Sequence, residues 1–206
     1  MLGIVFTSTE EARSFVETYT DERIDTLEEG TPVPVGDVLL TVTGPGKINA
    51  TLAIERLLQT HEVDALLVTG TCVALTDELS LGAVVGATFV LEGDRVELDA
   101  PTYPRMPLEC PFAVSSEGTL VTQDHTRDSE DEKSYWERIA DVRDDTAYAV
   151  AFVAAQHGVP CYVAKVVSTR IGAERSDEGD TQRKDALDAM STFVVQTLEE
   201  ASDWAS

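Results

Sequence analysis

The sequence predicts an α/β fold: three layers, with helices on both sides of a mixed central sheet. Short β-branched apolar runs alternate with segments whose apolar residues recur at helical spacing. Several of the runs end in glycine turns, as strands do when the chain must swing sharply into the next element. A long strand-like run at 82–92, followed by the hairpin signal Gly93-Asp94, interrupts the alternation, which argues against an all-parallel sheet. With 206 residues and no repeat or linker, the expectation is one domain over 1–206.

Leu2-Gly3-Ile4-Val5-Phe6 reads as a buried strand. Thr7-Ser8-Thr9 then supplies a helix N-cap, with Glu10 and Glu11 in the first turn and Phe15 and Val16 further along. Residues 37–43 are β-branched and strand-like, and Gly44-Pro45-Gly46-Lys47 ends them. The helix that follows places Ile48, Leu52, Ile54, Leu57 and Leu58 on one side. Residues 64–70 form a second buried strand, ending in a Gly70-Thr71-Cys72 turn. The hairpin after Gly93-Asp94 takes in Arg95 to Leu98. Residues 100–111 carry four prolines and read as a loop. Residues 119–122 are a strand, and 124–133 a polar surface loop. Residues 147–157 form an alanine-rich buried helix closed by Gly158. A strand over 159–168 precedes an amphipathic helix over 180–204, with Leu187, Met190, Phe193, Val194, Leu198 and Ala201 inward.

The charge balance excludes several functions. Thirty-eight acids against 15 bases give a formal net charge of -23. Basic clusters suited to a phosphate backbone or an anionic bilayer are lacking, so nucleic acid and membrane surfaces are not expected partners. No run of about 20 apolar residues could span a bilayer. The N-terminus lacks the basic start and small-residue cleavage site of a secretory signal, so the expected location is cytoplasmic. The acids are spread between apolar segments rather than gathered in a tail, which suits a chain adapted to molar salt. At about 1 M salt the Debye length is only about 3 Å, and self-repulsion is screened. Cys72, Cys110 and Cys161 are odd in number and widely spaced, so neither a disulfide framework nor a zinc site is implied.

Four segments, in order, carry a family resemblance. They are residues 2–11; Thr43-Gly44-Pro45-Gly46-Lys47-Ile48-Asn49-Ala50; Val68-Thr69-Gly70-Thr71-Cys72-Val73-Ala74-Leu75 with Leu81-Gly82; and Asp144-Asp145-Thr146-Ala147 with Gly158-Val159-Pro160 and Lys165-Val166-Val167-Ser168-Thr169. In order and spacing they resemble the opening strand, glycine turns, helix start and strand end of the nucleoside phosphorylase and methylthioadenosine/S-adenosylhomocysteine nucleosidase superfamily. The resemblance implies the phosphorylase/hydrolase-like fold and cleavage of a nucleoside N-glycosidic bond, more readily by water than by phosphate. The alternative is a catalytically impaired paralogue that binds a nucleoside-like ligand or serves as an assembly subunit. It further implies a small-molecule nucleoside or nucleobase as partner, with phosphate as a possible second, no metal or organic cofactor, and a homodimer or larger homo-oligomer. For the subunit contact the proline-rich 100–111 segment, with Tyr103 and Met106, is the candidate.

The resemblance also distributes roles. Glu11 falls where the family activates water, with Glu10 as rival by register slip and a plain helix-dipole acid as the ordinary reading. Gly70, Thr71, Cys72 and Val73 fall on the loop that meets the nucleophile and the base; a simple strand-to-helix turn is the alternative. Gly44, with Gly46, suits either close approach to a ligand or a tight turn. Thr146 stands where the family grips ribose hydroxyls with Glu, and Thr169 where purine-cleaving members place an Asp that protonates the base, while uridine-cleaving members lack that carboxylate. Val68 occupies the place of a phosphorylase arginine, and the first strand lacks the phosphate-binding arginine. Ser168 is a further polar contact. Asp145, beside Asp144, and Asp124 are either pocket carboxylates or ordinary acids of a very acidic chain. His125 is either a ligand contact or a solvated loop histidine, and Tyr135 and Trp136 either stack on a base or anchor a surface helix.

Overall fold

The computed structural model describes residues 1–20, 27–95, 103–125, 129–172 and 177–201. Among these residues ten strands form one mixed sheet: β1 (Leu2–Phe6), β2 (Val33–Val35), β3 (Val38–Val42), β4 (Ala65–Val68), β5 (Thr71–Ala74), β6 (Val84–Glu92), β7 (Arg105–Pro107), β8 (Ser116–Thr122), β9 (Val142–Asp144) and β10 (Cys161–Arg170). Their order is β2-β3-β1-β4-β10-β5-β9-β8-β6-β7. The ten-residue β10 joins two halves. Its start pairs with β4 in the parallel half, and its end lies between β5 and β6. Because β6 also pairs with β8, the strands β10, β5, β9, β8 and β6 close on themselves, which removes most free edges from that half.

Among the described residues five helices cover the sheet: α1 (Thr9–Tyr19), α2 (Lys47–Thr60), α3 (Glu130–Trp136), α4 (Ala147–His157) and α5 (Asp177–Ala201). On one side α1 and α5 bury Phe6, Phe15, Met190, Phe193 and Val194 against the strands. On the other, α2 and α4 bury Ala50, Ile54, Leu57, Val150 and Ala154. Parallel strands buried on both faces require this double covering, hence the uninterrupted apolar run in β1 and β3. Deleting the ring of Phe15, which is fully buried, should cost about 3–5 kcal/mol.

Several expectations are corrected. Ile48 and Leu52 do not share a face with Ile54 and Leu57: they are 75% and 64% exposed, while Ala50 and Ala53 fill the buried stripe. Residues 71–74 are a strand, so Gly70-Thr71 joins two strands and not a strand to a helix. The antiparallel neighbour of β6 beyond Gly93 is Arg105–Pro107, inside the segment read as loop; the expected hairpin arm at 96–98 lies outside the described residues. Met106 is therefore part of the sheet edge. Tyr103 packs on Trp136 and bonds the Tyr135 hydroxyl at 2.7 Å, anchoring the short α3 within the expected 124–133 loop. Leu198 packs against the core, whereas Ala201's side chain and residues 202–206 lie outside the described set. Strands β2 and β9, three residues each, carried no readable pattern.

Candidate active site

A cavity of about 390 Å³ opens where the C-terminal ends of β1, β8, β9 and β10 meet the start of β5. Ligands collect at such strand ends in open α/β sheets. Glu11, Thr71, Cys72, Val73, Asp124, Asp145, Ser168 and Thr169, all singled out in the sequence, line it.

Glu11 is fixed from both sides. Ser8 caps α1, and its N–H donates to Glu11 Oε2 at 3.1 Å while Glu11 N–H donates to Ser8 Oγ at 3.3 Å, a reciprocal capping box. The Thr71 N–H and hydroxyl both donate to Glu11 Oε1, at 2.7 and 2.8 Å. Only glycine fits at position 70: φ is +117°, and a Cβ would lie 2.9 Å from both carboxylate oxygens. Glu11 is 3% exposed. Glu10, the register rival, points away and pairs with Arg183 at 2.5 Å; that hydrogen bond, outweighing partial burial, lowers its pKa.

At the cavity floor lies a buried charge pair, with Asp144 in the lining and Lys165 behind it. Lys165 and Asp144 have side chains 1% and 2% exposed and stand 3.2 Å apart. Lys165 also donates to the Thr69 carbonyl at 2.9 Å. Asp144 receives the Thr122 hydroxyl at 2.8 Å and the Ala147 N–H at 3.0 Å, so it supplies the N-terminal cap that Thr146 does not give α4. Burial opposes the Lys165 ammonium, but the carboxylates of Asp144, Glu11 and Asp145 outweigh it, and its pKa is raised. Asp144 is thus the helix-start acid that its position suggested, but a buried one paired with Lys165. Thr146 is 1% exposed, its hydroxyl shared between Thr7 (3.0 Å) and Asp144 (3.3 Å); it stands behind the cavity wall and is not among the lining residues.

Asp145 is the side chain that faces outward from this turn. Its Oδ2 accepts the Gly46 N–H at 3.1 Å. Desolvation and, next, the charge of Asp144 push its pKa up to about 6, against the pull of Lys165 and the Gly46 N–H. Asp124 Oδ1 accepts the Lys47 N–H at 2.8 Å. The N-terminus of α2, a ready anion position, is therefore filled by two of the chain's own carboxylates. Lys47 closes the rim through Glu92 and Asp94, each at 2.5 Å. Gly44 lies elsewhere, against the Glu29 carboxylate, where φ of +76° serves the turn.

The far wall is set by an irregularity in β10. Its register against β5 shifts between Val167 and Thr169, a bulge that re-aims Ser168 and Thr169 toward the cavity. Ser168 Oγ donates to the Cys72 carbonyl at 3.3 Å, and Thr169 lies opposite Val73. The Cys72 thiol is buried, and desolvation raises its pKa strongly, so it is no nucleophile. Sequence reasoning missed Gln123, Arg143 and Arg183, which also line the cavity. Gln123 is 5% exposed and its carboxamide oxygen has no hydrogen-bond partner among the described residues. His125 is exposed and does not line the cavity, while Trp136 is buried in the α3 cluster, so the plain readings of both hold. Among the described residues no group of three or more His, Cys, Asp or Glu could hold a metal ion, and no helix is long and apolar enough to cross a membrane.

Comparison with known proteins gives a family. Residues 2–201 match the sequence model of the phosphorylase superfamily. No curated protein matches the chain. Solved structures do: a Helicobacter pylori methylthioadenosine/S-adenosylhomocysteine nucleosidase mutant with 5'-methylthioadenosine in its active site (18% identity, 97% and 98% of the two chains, TM-score 0.79). The Campylobacter jejuni 5'-methylthioadenosine/S-adenosylhomocysteine nucleosidase is similar (19%, 97% and 98%, 0.78), as is the futalosine hydrolase of Helicobacter pylori (17%, 97% of each, 0.77). The mixed sheet, its helical layers and the match over nearly the whole chain agree: the chain belongs to the phosphorylase superfamily.

Proposed function

We propose that the chain hydrolyses the N-glycosidic bond of a nucleoside at the cavity floored by Glu11. The observation that carries this reading is the Glu11 carboxylate, buried yet lining the cavity, and held by three donors that leave lone pairs free to receive a water proton. Water held there adds its oxygen to C1′ as the C1′–N bond breaks, the bond's electron pair leaves with the base, and Glu11 takes the water's proton. The ribosyl centre gains positive charge along this path, and the surrounding carboxylates of Glu11, Asp144 and Asp145 stabilise it. Asp145, projecting into the cavity where Thr146 does not, is the group we assign to the ribose hydroxyls.

Water rather than phosphate is supported by charge. Four carboxylates and two guanidinium groups line the cavity, one of those guanidiniums is paired to Glu10, and the α2 N-terminus is occupied by Asp124 and Asp145. An entering phosphate would meet repulsion rather than a cradle. The test is a product screen: purified protein in multimolar KCl is incubated with purine and pyrimidine nucleosides, with and without phosphate, and released base is read by chromatography. Release of base without phosphate, lost in Glu11→Gln, is expected. Binding without turnover would make the chain a nucleoside-binding protein, and neither would overturn the reading.

A further inference from the structure

We propose, resting on the nucleosidase reading above, that the preferred substrate is a nucleoside whose base carries a fixed positive charge, an N-alkylated purine or a pyridinium riboside. The argument starts from how a base departs. A neutral base leaves poorly unless it is protonated, and a well-placed general acid is worth about 10²–10⁴-fold. A cationic base needs no proton: the electron pair of the breaking C1′–N bond neutralises it, and it leaves as a neutral ring. Water supplies the new C1′–O bond and loses its proton to Glu11, so the reaction needs no other reactant.

Among the described residues, each carboxylate that lines the cavity already accepts a hydrogen bond from the chain. Glu11 receives hydrogen bonds at both oxygens, from Ser8 and Thr71. Asp144 does likewise, from Thr122 and Ala147 on one side and Lys165 on the other. Asp124 receives the Lys47 N–H. The oxygens of these three side chains are turned to donors of the chain, so none is aimed as an acid at a departing base. Asp145 is turned to the α2 N-terminus, and with its pKa at about 6 it is mostly ionised at neutral pH. No histidine lines the cavity, and the end of β10 presents only the hydroxyls of Ser168 and Thr169.

The same walls suit a cation. Acids outnumber bases among the lining side chains, and the whole chain, at -23, deepens the negative potential inside a concave site. Gln123 adds a nearly buried carboxamide oxygen at the cavity wall that has no hydrogen-bond partner among the described residues. A cavity with more carboxylates than guanidinium groups, its carboxylates already engaged by donors of the chain, pairs badly with a neutral base that must gain a proton and well with one that already carries the charge.

The experiment compares two matched nucleosides, 7-methylguanosine and guanosine, which differ by one methyl group and the fixed charge. Nicotinamide riboside and uridine extend the comparison. At pH 7.5 and high KCl, without phosphate, kcat/KM for 7-methylguanosine should exceed that for guanosine by about 10²-fold or more. Thr169→Asp should narrow the gap by raising guanosine cleavage while leaving 7-methylguanosine less affected. Equal rates, or preference for guanosine, overturn the proposal and leave the nucleosidase reading intact. Turnover of the cationic pair only when phosphate is added overturns hydrolysis but supports the base preference. If calorimetry and chromatography find neither binding nor cleavage of any of the four, the nucleosidase reading fails, and the proposal with it.

Discussion

Removing the Lys165 ammonium should destabilise the chain far more than its single side chain would suggest, and removing its partner at the same time should restore most of the loss. At an effective dielectric constant of about 20, unit charges 3.2 Å apart attract by about 5 kcal/mol. That attraction is offset by the cost of burying both charges, so the intact pair contributes little net stability. Lys165→Met leaves the desolvation cost of Asp144 in place and deletes what balances it, an expected loss of about 3–5 kcal/mol. At about 2–4 °C per kcal/mol for a domain this size, the midpoint should fall by about 6–20 °C. Asp144→Asn alone should also be costly, since it strands the ammonium. The double variant Lys165→Met/Asp144→Asn should be milder than the sum of the two by about 5 kcal/mol, the attraction that each single variant loses and the sum counts twice. About 1 kcal/mol should stay lost, because the Thr69 carbonyl no longer receives the Lys165 donor. Since the Lys165 pKa is raised above its ordinary value, this contribution is present throughout neutral pH and is lost only as pH climbs through that raised value. Urea melts at fixed KCl measure all four proteins. A Lys165→Met loss under about 1 kcal/mol, or strict additivity of the two changes, would refute the pair as an energetic unit.

Asp145 carries the opposite sign: its pKa rises from 3.8 to about 6, so folding favours its protonated form, and stability is greatest below about pH 4 and declines as pH rises through 6. Asp144, Lys165 and the Gly46 N–H are the charged and polar groups that set this, and Asp145→Asn should stabilise at pH 7.5 by at most about 3 kcal/mol with no gain at pH 4, a difference that paired melts would reveal or deny. Adaptation to salt predicts a melting temperature that climbs steeply from dilute buffer to multimolar KCl, because 38 acids face 15 bases; a flat or falling curve would remove that reading. A second copy should cover the α2–α4 face, where Ile48, Leu52 and Phe152 are exposed and Ile48 borders a cavity it shares with Asp124 and Asp145. Light scattering in high salt should give twice 22.3 kDa for the wild type and 22.3 kDa for Leu52→Asp; a monomeric wild type ends the idea.

Much of the fold was legible because its determinants are local. The apolar runs of β1, β3, β4 and β10 are buried on both faces, so composition alone marks them. Gly158 ends α4 in the left-handed conformation as its position implied. The failures share a cause. Ile48 and Leu52 fit a helical stripe as well as Ile54 does, and sequence periodicity cannot tell which of two apolar stripes faces the sheet. Strands β2, β7 and β9 are three residues long, too short for any pattern, and owe their pairing to neighbours far away in the chain.

The site was legible where one residue's role follows from its own surroundings, and opaque where it depends on a partner. Glu11 and Gly70 were singled out by their place in the family resemblance, and the surroundings of each fix it there: Glu11 closes a capping box with Ser8, and the backbone conformation at Gly70 forbids a side chain. Asp144 could not. In a chain with 38 acids, an acid at a helix start is the ordinary case, and what separates Asp144 from the rest is a lysine 21 positions away that the β10 strand carries to within 3.2 Å of it. The chain has only four lysines. A salt-adapted surface can dispense with ammonium groups, so one placed inside a predominantly apolar strand is the residue whose presence the surface does not explain. Lys165, with Ala164 before it and Val166 after it, was therefore the better signal, and its burial identifies which of the many carboxylates must lie beside it.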